Sequence, residues 1–167
     1  MQVAQRIAQT WPCGIIYTSP LRRCHDTGSA IASSTNASLA TLEDLNDLDY
    51  GQWQGKGWDE ARMIDARLFE AWRNFPDKVV FPSGESLQDV AARAARALRH
   101  VRQLHANETT VMVSHDSVNR VILSLALSLP LSSYWRLTQD PCCINEIEYT
   151  DHGPRVCRVN DAAHITR

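Results

Sequence analysis

Residues 109–120 read TTVMVSHDSVNR, and this stretch decides the class of fold. Its first half, Thr109–Ser114, is apolar and rich in β-branched residues, which predicts a buried strand. An almost wholly apolar run from Val118 to Leu129 follows and predicts a buried helix, which Pro130 ends. A buried strand that leads directly into a buried helix is typical of α/β proteins with a parallel sheet. His115 lies at the junction, so we expect its imidazole at the carboxyl end of a strand.

Strand and helix also alternate on the amino-terminal side of this stretch. The apolar run Ile15–Tyr17, shortly before Pro20, predicts a buried strand that leads into a loop. An Ala-rich helix is predicted over Arg23–Ala32, and a second helix over Trp58–Trp72 has an apolar stripe at helical spacing. Residues 42–56, which lie between these helices, carry acids and glycines and are typical of a loop.

A long helix precedes the opening stretch, and a hairpin follows it. Ser86 is placed as an N-cap with Asp89 in the capping-box position, and the helix that starts there has a continuous apolar face. Two strand-like segments, Ile144–Tyr149 and Val156–Val159, flank a turn and predict a terminal β-hairpin. We therefore expect an α/β fold, a three-layer α/β/α sandwich with a mostly parallel sheet.

The length and composition of the chain fit one domain that spans residues 1–167. A chain of this length, 44% hydrophobic and 22% charged, can bury an ordinary globular core. The net charge of −2 gives no support for nucleic acid or an anionic membrane surface as a partner. Five cysteines without Cys-x-x-Cys spacing indicate a reduced, cytoplasmic setting. No apolar run reaches the roughly 18 residues that a membrane span needs.

Three groups of residues could carry chemistry, and each follows or joins a predicted strand, where ligands of α/β sheets bind. Arg22 and Arg23 follow the first strand and could offer bidentate donors to a phosphate, or could be ordinary solvated charges. His115 ends an apolar strand, where an imidazole is either used in function or hydrogen-bonded within the core. The acidic run Leu42–Asp49 could supply a proton donor or form a solvated surface.

Other classes of site lack their motifs in this sequence. There is no His-Glu-x-x-His, no paired Cys/His cluster, no Gly-x-Gly-x-x-Gly or Gly-x-x-x-x-Gly-Lys loop, and no Gly-x-Ser-x-Gly elbow. We therefore expect neither a metal nor a cofactor. Nucleotide-binding folds and α/β-hydrolases lose support for the same reason.

The three groups belong to four blocks that occur in a known order. The blocks are YTSPLRRCHDT (17–27), LNDLDYGQWQG (45–55), PSGESL (82–87) and VMVSHDSVNR (111–120). They resemble the SSPLxRAxxT, LxExxFGxWEG, PxGESL and vvSHxxxxR blocks of the histidine phosphatase, or phosphoglycerate mutase-like, superfamily. One block alone is a weak match, but four in the same order are a strong resemblance.

The resemblance implies roles for the matching residues. Arg23 matches the phosphate-binding arginine, Asp47 the proton donor (usually Glu), and His115 the second histidine, which contacts the phosphoryl group. Asp116 replaces the glycine that is common after this histidine, which changes the edge of the expected pocket. The substrate-binding residues that we assign with these blocks are Arg22, Trp53, Glu85 and Ser114. Residues 57–85 form the expected cap over the pocket.

The family's opening segment, a strand followed by Arg-His-Gly, has no counterpart in the sequence. Its histidine is the nucleophile of the family, and Met1–Gln9 resembles the helix that follows it. The resemblance therefore implies a sheet that lacks the first central strand, with an open edge that favours a homodimer. Two explanations are open: a truncated reading frame, or a short protein that has lost catalysis.

The activity that the resemblance implies is hydrolysis of small phosphomonoesters through a phosphohistidine intermediate, once the Arg-His-Gly segment is present. The expected partner is a small phosphorylated metabolite or inorganic phosphate. The alternative is a non-catalytic phosphate-binding or interaction protein, a pseudophosphatase. A phosphoglycerate mutase is a third hypothesis, for which the chain is short.

Overall fold

A computed structural model describes residues 2–166, in which helices and strands alternate along the chain. The helices are α1 (Gln2–Thr10), α2 (Arg22–Thr35), α3 (Trp58–Ile64), α4 (Ala66–Asn74), α5 (Leu87–Leu104) and α6 (Asp116–Ala126). The strands are β1 (Ile15–Thr18), β2 (Ser38–Thr41), β3 (Thr110–Val113), β4 (Ile144–Thr150) and β5 (Gly153–Asp161). Within residues 2–166, no helix is both long and apolar enough to cross a membrane.

The parallel sheet has the strand order β2–β1–β3. β1 lies in the middle and pairs in parallel with both neighbours, so that Ile16 is opposite Leu39 on one side and Val111 on the other. In the described part of the chain, β4 and β5 form a separate antiparallel ladder. The predicted α/β class, with a mostly parallel sheet and a terminal hairpin, is confirmed.

Helices cover both faces of the parallel sheet, because successive residues of a strand point to opposite sides. Ile16 packs with α1 and with Ile31 of α2. Its neighbour Tyr17 faces the other way and packs with Ala97 and Val101 of α5. The three-layer arrangement expected from the sequence is therefore present.

α5 begins where the capping box predicted. Ser86 Oγ accepts the Asp89 backbone N–H at 3.2 Å, and the Asp89 carboxylate accepts the Ser86 backbone N–H at 2.9 Å. The pair satisfies backbone donors that the first turn of a helix otherwise leaves without partners. This local signal fixes the start of the helix that runs beneath the sheet.

The single helix predicted over Trp58–Trp72 is wrong, because two helices, α3 and α4, share this stretch. The break is at Asp65, whose backbone is extended (φ −151°, ψ 96°). Its carboxylate accepts the Leu68 backbone N–H at 2.9 Å and caps α4. Aspartate favours such caps because its short side chain reaches nearby backbone donors.

An aromatic cluster joins α4 to the turn that follows α6. The ring of Trp72 is 1% exposed and packs edge-on against Phe81 and Trp135, with centroids 5.0 and 5.3 Å away. Trp135 Nε1 also donates to the Trp72 carbonyl at 2.8 Å. Such aromatic contacts add to the stabilisation that burial gives. They hold residues 57–85 against the body of the protein.

Candidate active site

Parallel pairing brings the predicted site residues to one edge of the sheet. β1 and β3 end side by side, with Thr18 opposite Val113. Beyond the ladder, the Ser19 N–H donates to the Val113 carbonyl at 3.0 Å. β1 leads into α2, which carries Arg23, and β3 leads into α6, whose N-cap is His115. The two side chains therefore lie at the carboxyl ends of neighbouring strands.

His115 is buried, and both of its ring nitrogens are hydrogen-bonded. Arg23 Nε donates to Nδ1 at 3.2 Å. Since arginine can only donate, Nδ1 carries the lone pair and Nε2–H donates to Ser19 Oγ at 2.9 Å. Ser19 Oγ in turn donates to Asn46 Oδ1 at 3.1 Å. This series of bonds fixes both the tautomer and the orientation of the ring.

The pKa of His115 is lowered from its ordinary value. Burial of the imidazole is the main cause, because a low-dielectric environment disfavours the charged form. The carboxylate of Asp47 opposes this effect, and the guanidinium of Arg23 adds to it. The hydrogen bond from Arg23 to Nδ1 requires the same neutral form.

Asp47 completes the site cluster, a name used below for Arg23, Asp47 and His115. Its Oδ2 accepts Arg23 Nη2 at 2.7 Å and lies 3.5 Å from His115 Nδ1. Its Oδ1 accepts Ser117 Oγ at 2.6 Å and the Leu48 N–H at 2.9 Å. The side chain of Arg23 is 59% exposed, so solvent and small anions can reach the guanidinium.

The loop that carries Asp47 is held by Arg93 of α5. Arg93 Nε and Nη2 donate to the Glu85 carboxylate at 2.9 and 3.0 Å. Nη1 donates to the carbonyls of Asp44 and Asn46 at 2.9 and 2.6 Å, and Nη2 donates to the Asp47 carbonyl at 3.0 Å. Glu85, one of the substrate-binding candidates, therefore neutralises the positive charge of Arg93, and Arg93 in turn positions the Asp47 loop.

The other substrate-binding candidates lie in three different environments. Ser114 Oγ donates to the Leu45 carbonyl at 2.7 Å and ties the end of β3 to the acidic loop. The side chain of Arg22 is 94% exposed and pairs with Asp26. Trp53 is buried among phenylalanine rings of the aromatic core. The structure thus brings Ser114 next to the site cluster, and brings neither Arg22 nor Trp53 to it.

Four polar residues that hold the site cluster were not among the sequence candidates: Ser19, Asn46, Arg93 and Ser117. They act through contacts between residues 27 to 96 positions apart in the chain. Ser19, Asn46 and Ser117 lie inside the motif blocks, and this position was the one feature of the sequence that pointed to a role in the site. Arg93 lies outside the blocks, and its place in a predicted helix gave no indication of a role in the site.

Cys24 also contacts His115, with Sγ 3.5 Å from Nε2. Burial raises the pKa of this thiol to about 11, and Sγ donates to the Ser114 carbonyl at 3.2 Å. A cysteine nucleophile needs a thiolate at neutral pH. Cys24 is therefore a packing group beside the histidine and is unsuited to nucleophilic attack.

An open cavity of about 440 Å³ lies beside Asp47. Its lining residues include the acidic Glu43, Asp49 and Glu85, together with Arg93. In residues 2–166, no group of three or more His, Cys, Asp or Glu side chains is arranged to hold a metal ion.

The lowered pKa of His115 predicts that the protein loses stability on acidification. A group whose pKa is lower in the folded state binds fewer protons there than in the unfolded chain. Its stabilising contribution is complete above the unfolded value of about 6.5 and declines as the pH falls below it. Urea unfolding between about pH 5 and 8 should show this slope, and His115→Gln should flatten it. Stability that rises on acidification over this range would contradict the assignment.

The fold and the site together define a class: an α/β protein whose arginine, histidine and carboxylate converge at the carboxyl ends of parallel strands, where ligands of such sheets bind. A family model described as Histidine phosphatase superfamily (branch 1) matches residues 1–162. The chain therefore belongs to the histidine phosphatase superfamily, which confirms the family that the four sequence blocks predicted.

Individual relatives agree with this membership. Phosphoserine phosphatase 1 of Hydrogenobacter thermophilus is 30% identical over 151 residues, which are 90% of this chain and 72% of that protein. The adenosylcobalamin/alpha-ribazole phosphatase of Escherichia coli is 21% identical over 134 residues, 80% of this chain and 66% of that protein. The solved structure of Bacillus stearothermophilus YhfR matches with a TM-score of 0.90 and 25% sequence identity. The match covers 98% of this chain and 83% of the YhfR chain. The names of the first two relatives support a phosphatase role in general terms.

Proposed function

We propose that the site cluster binds the phosphoryl group of a small phosphomonoester. We further propose that the chain, joined to a segment that carries Arg-His-Gly, hydrolyses this ester through a phosphohistidine intermediate. The observation that carries the proposal is the convergence of Arg23, Asp47 and His115 at the ends of β1 and β3. A small phosphorylated substrate also agrees with the name of one relative, a phosphoserine phosphatase.

Arg23 is the proposed phosphate ligand. Its planar guanidinium is accessible and can donate two parallel hydrogen bonds to phosphate oxygens. An incoming dianion would compete with Asp47 for these donors. The same dianion would raise the pKa of His115, because a nearby negative charge favours the imidazolium. His115 would then add positive charge beside the oxygens of the transferring group.

Asp47 is the proposed proton donor. Its Oδ1 is held by Ser117 and the Leu48 N–H, whereas Oδ2 faces Arg23 and His115. Oδ2 is therefore the atom that would carry the proton to the leaving alkoxide. The cavity of about 440 Å³ beside Asp47 would receive the organic part of the ester. Its lining, in which acidic residues outnumber Arg93, favours a substrate that is neutral or positively charged at this point.

The covalent step needs a histidine that is free to attack. A nitrogen of the Arg-His-Gly histidine would bond to phosphorus while the bond to the ester oxygen breaks and Asp47 protonates the alkoxide. Water would then attack the phosphorus as the bond to the histidine nitrogen breaks, and the Asp47 carboxylate would take the proton that the water loses, which releases phosphate and restores the acid. His115 is a poor substitute, because hydrogen bonds to Arg23 and Ser19 fix both of its nitrogens.

The alternative is a protein that binds phosphate without turnover. Two observations favour it for the 167-residue chain: the sequence contains no Arg-His-Gly, and His115 is held at both nitrogens. Under this alternative, Arg23 and His115 would serve recognition alone. The two hypotheses share the phosphate site and differ only in covalent chemistry.

The proposal is tested with p-nitrophenyl phosphate in EDTA. The 167-residue chain and the same chain fused to a strand that ends in Arg-His-Gly are compared, and phosphate bound to the protein is trapped after denaturation. Turnover and trapped phosphohistidine in the fused chain alone are the expected result. If vanadate raises the melting temperature of both forms but neither turns over, the binding alternative holds. If vanadate stabilises neither form, both hypotheses fail.

Arg23→Met is expected to weaken phosphate binding by on the order of 10- to 100-fold, because this is the usual effect of losing a charge-assisted hydrogen bond. Arg22→Met is the matched control, because Arg22 is the adjacent arginine and points its charge into solvent beside Asp26. Titration of both variants with phosphate or vanadate, followed by thermal shift, measures the difference. Equal losses in the two variants would place phosphate recognition elsewhere.

A further inference from the structure

Two residues beside the site cluster differ from the motif blocks that the sequence resembles. Tyr50 stands where the LxExxFGxWEG block has phenylalanine, and Asp116 stands where a glycine is common. Each difference adds a polar group, a hydroxyl in the first case and a carboxylate in the second. Both groups lie near the site cluster in the structure, so they give this chain polar chemistry that the blocks do not predict.

Asp116 is next to the site cluster and accessible to a ligand. It follows His115 in the first turn of α6, and it lines one groove together with Arg23, Asp47 and His115. Its side chain is 53% exposed, and its Oδ2 lies 3.4 Å from Arg120 Nη1. Hydrogen bonds between charged groups are usually shorter, about 2.7–2.9 Å. The Asp116 carboxylate therefore keeps acceptor positions that a ligand can reach.

Arg120 is fixed in position behind Asp116. Its side chain is 12% exposed, and its Nε donates to the Leu137 carbonyl at 2.8 Å. The guanidinium also lies over the rings of Tyr134 and Trp135, 5.1 Å from each centroid. The hydrogen bond and the cation–π contacts hold the guanidinium on one side of Asp116. The exposed side of the carboxylate is therefore left for a ligand.

Two tyrosine hydroxyls lie close to this carboxylate. Burial raises the pKa of Tyr50, and the carboxylates of Asp47 and Asp116 raise it further. Burial also raises the pKa of Tyr134, and Tyr50 and Asp116 add to this effect. Tyr134 is 1% exposed, yet within residues 2–166 its hydroxyl has no hydrogen-bond partner. Buried polar groups are normally paired, so an unpaired hydroxyl beside a carboxylate points to a ligand that completes the site.

We propose that Asp116, together with the Tyr50 hydroxyl, binds an ammonium group on the alcohol part of the substrate. This inference rests on the proposed function, in which Arg23 binds the phosphate of the same ester. The positive charges of Arg23 and Arg120 balance the carboxylates of Asp47 and Asp116. A bound phosphate dianion therefore leaves an excess of negative charge, which an ammonium group reduces and a second acidic group would increase. The substrate class is a phosphomonoester of a short amino alcohol.

The position proposed for the ammonium group is compatible with the cavity beside Asp47. Asp47 lines both the cavity of about 440 Å³ and the groove that contains Asp116. The ester oxygen that receives the proton from Asp47 would therefore lie between the two spaces. A short chain on this oxygen can direct its amino group to Asp116 while other substituents lie in the cavity.

The test measures the binding of inorganic phosphate and of phosphate esters to the 167-residue chain by isothermal titration calorimetry in EDTA. The esters are O-phosphoethanolamine, its isostere propyl phosphate, and phosphoglycolate, which carries a carboxylate. We expect phosphoethanolamine to bind at least about tenfold more tightly than propyl phosphate, the usual effect of one charge-assisted hydrogen bond, and phosphoglycolate to bind most weakly. If phosphate binds but phosphoethanolamine and propyl phosphate bind equally, this inference is wrong and the phosphate site stands. If neither phosphate nor any ester binds, the proposed phosphate site fails and this inference fails with it.

Matched variants test the assignment to Asp116. Asp116→Asn should remove the preference for phosphoethanolamine over propyl phosphate, and Tyr50→Phe should reduce it. Asp26→Asn is the control and should keep the full preference, because Asp26 also forms an i,i+4 pair with an arginine, Arg22, but on the exposed face of α2. If Asp116→Asn does not fold, Tyr50→Phe still decides the question. A preference that survives in the folded variants of both Asp116 and Tyr50 would overturn the proposal.

Discussion

Replacing Arg93 by methionine is expected to lower the free energy of unfolding by about 3–5 kcal/mol, the usual effect of removing one partner of a buried ion pair. The Arg93 side chain is 9% exposed, and its five hydrogen bonds go to the Glu85 carboxylate and to three backbone carbonyls. Methionine keeps much of the apolar stem but has no donors. Glu85 would keep a largely buried charge, and the carbonyls of the Asp47 loop would lose their partner.

Arg96→Met is the control for this prediction. Arg96 lies one turn further along α5 and pairs with Asp44 at 2.7 Å, but its side chain is 57% exposed. Exposed ion pairs contribute little, so we expect almost no change in stability. Urea unfolding monitored by tryptophan fluorescence measures both variants. If Arg93→Met and Arg96→Met lower the free energy of unfolding by similar amounts, the hydrogen bonds from Arg93 to the Asp47 loop contribute no more stability than an exposed ion pair.

The same substitution has a consequence for the site cluster. Arg93 donates to the carbonyls of Asn46 and Asp47, and Asn46 accepts the hydrogen bond of Ser19, which orients His115. A looser loop should therefore speed hydrogen exchange around Asp47 even under conditions where Arg93→Met stays folded.

The parts of the fold that the sequence predicted are those with a local cause. The capping box at Ser86 fixed the start of α5, and the apolar runs around Ile16 and Val111 gave β1 and β3. The break at Asp65 was missed because a capping aspartate looks like any polar residue within an amphipathic stretch. β2, Ser38–Thr41, was missed because a short, partly exposed edge strand has a weak alternation of polar and apolar residues.

The residues of the candidate site likewise divide into those that a local sequence pattern predicts and those that depend on distant contacts. Arg23, Asp47 and His115 could be proposed from the sequence because each lies in a motif block next to a strand end. Arg22 and Arg23 could not be told apart by residue type, since only the direction of the first turn of α2 sends one toward His115 and the other into solvent. The role of Arg93 depends on a loop almost 50 residues earlier in the chain, which no local pattern encodes.

Replacing Trp72 by alanine is expected to cost about 3–5 kcal/mol, the range for truncating a buried aromatic residue. Trp72 is 1% exposed and lies between rings on three other segments: Tyr50, Phe81 and Tyr134 have centroids 6.2, 5.0 and 5.2 Å away. Its loss opens a cavity where α4, the turn after α6 and the residues before α5 meet. The rings around it cannot all move to fill the space, because each belongs to a different element.

The effect should be local as well as global, because the Trp72 ring joins residues 57–85 to Tyr50, Tyr134 and Trp135. Phe75→Ala, three residues later and 63% exposed, is the control and should change stability by less than about 0.5 kcal/mol. Trp72→Phe, which keeps a ring, should cost less than Trp72→Ala. Chemical unfolding gives the stability, and hydrogen exchange of α3 and α4 shows whether this segment loosens before the rest. If Trp72→Ala and Phe75→Ala cost the same, the aromatic cluster does not anchor the segment, and residues 57–85 lose their main support as a cap over the site.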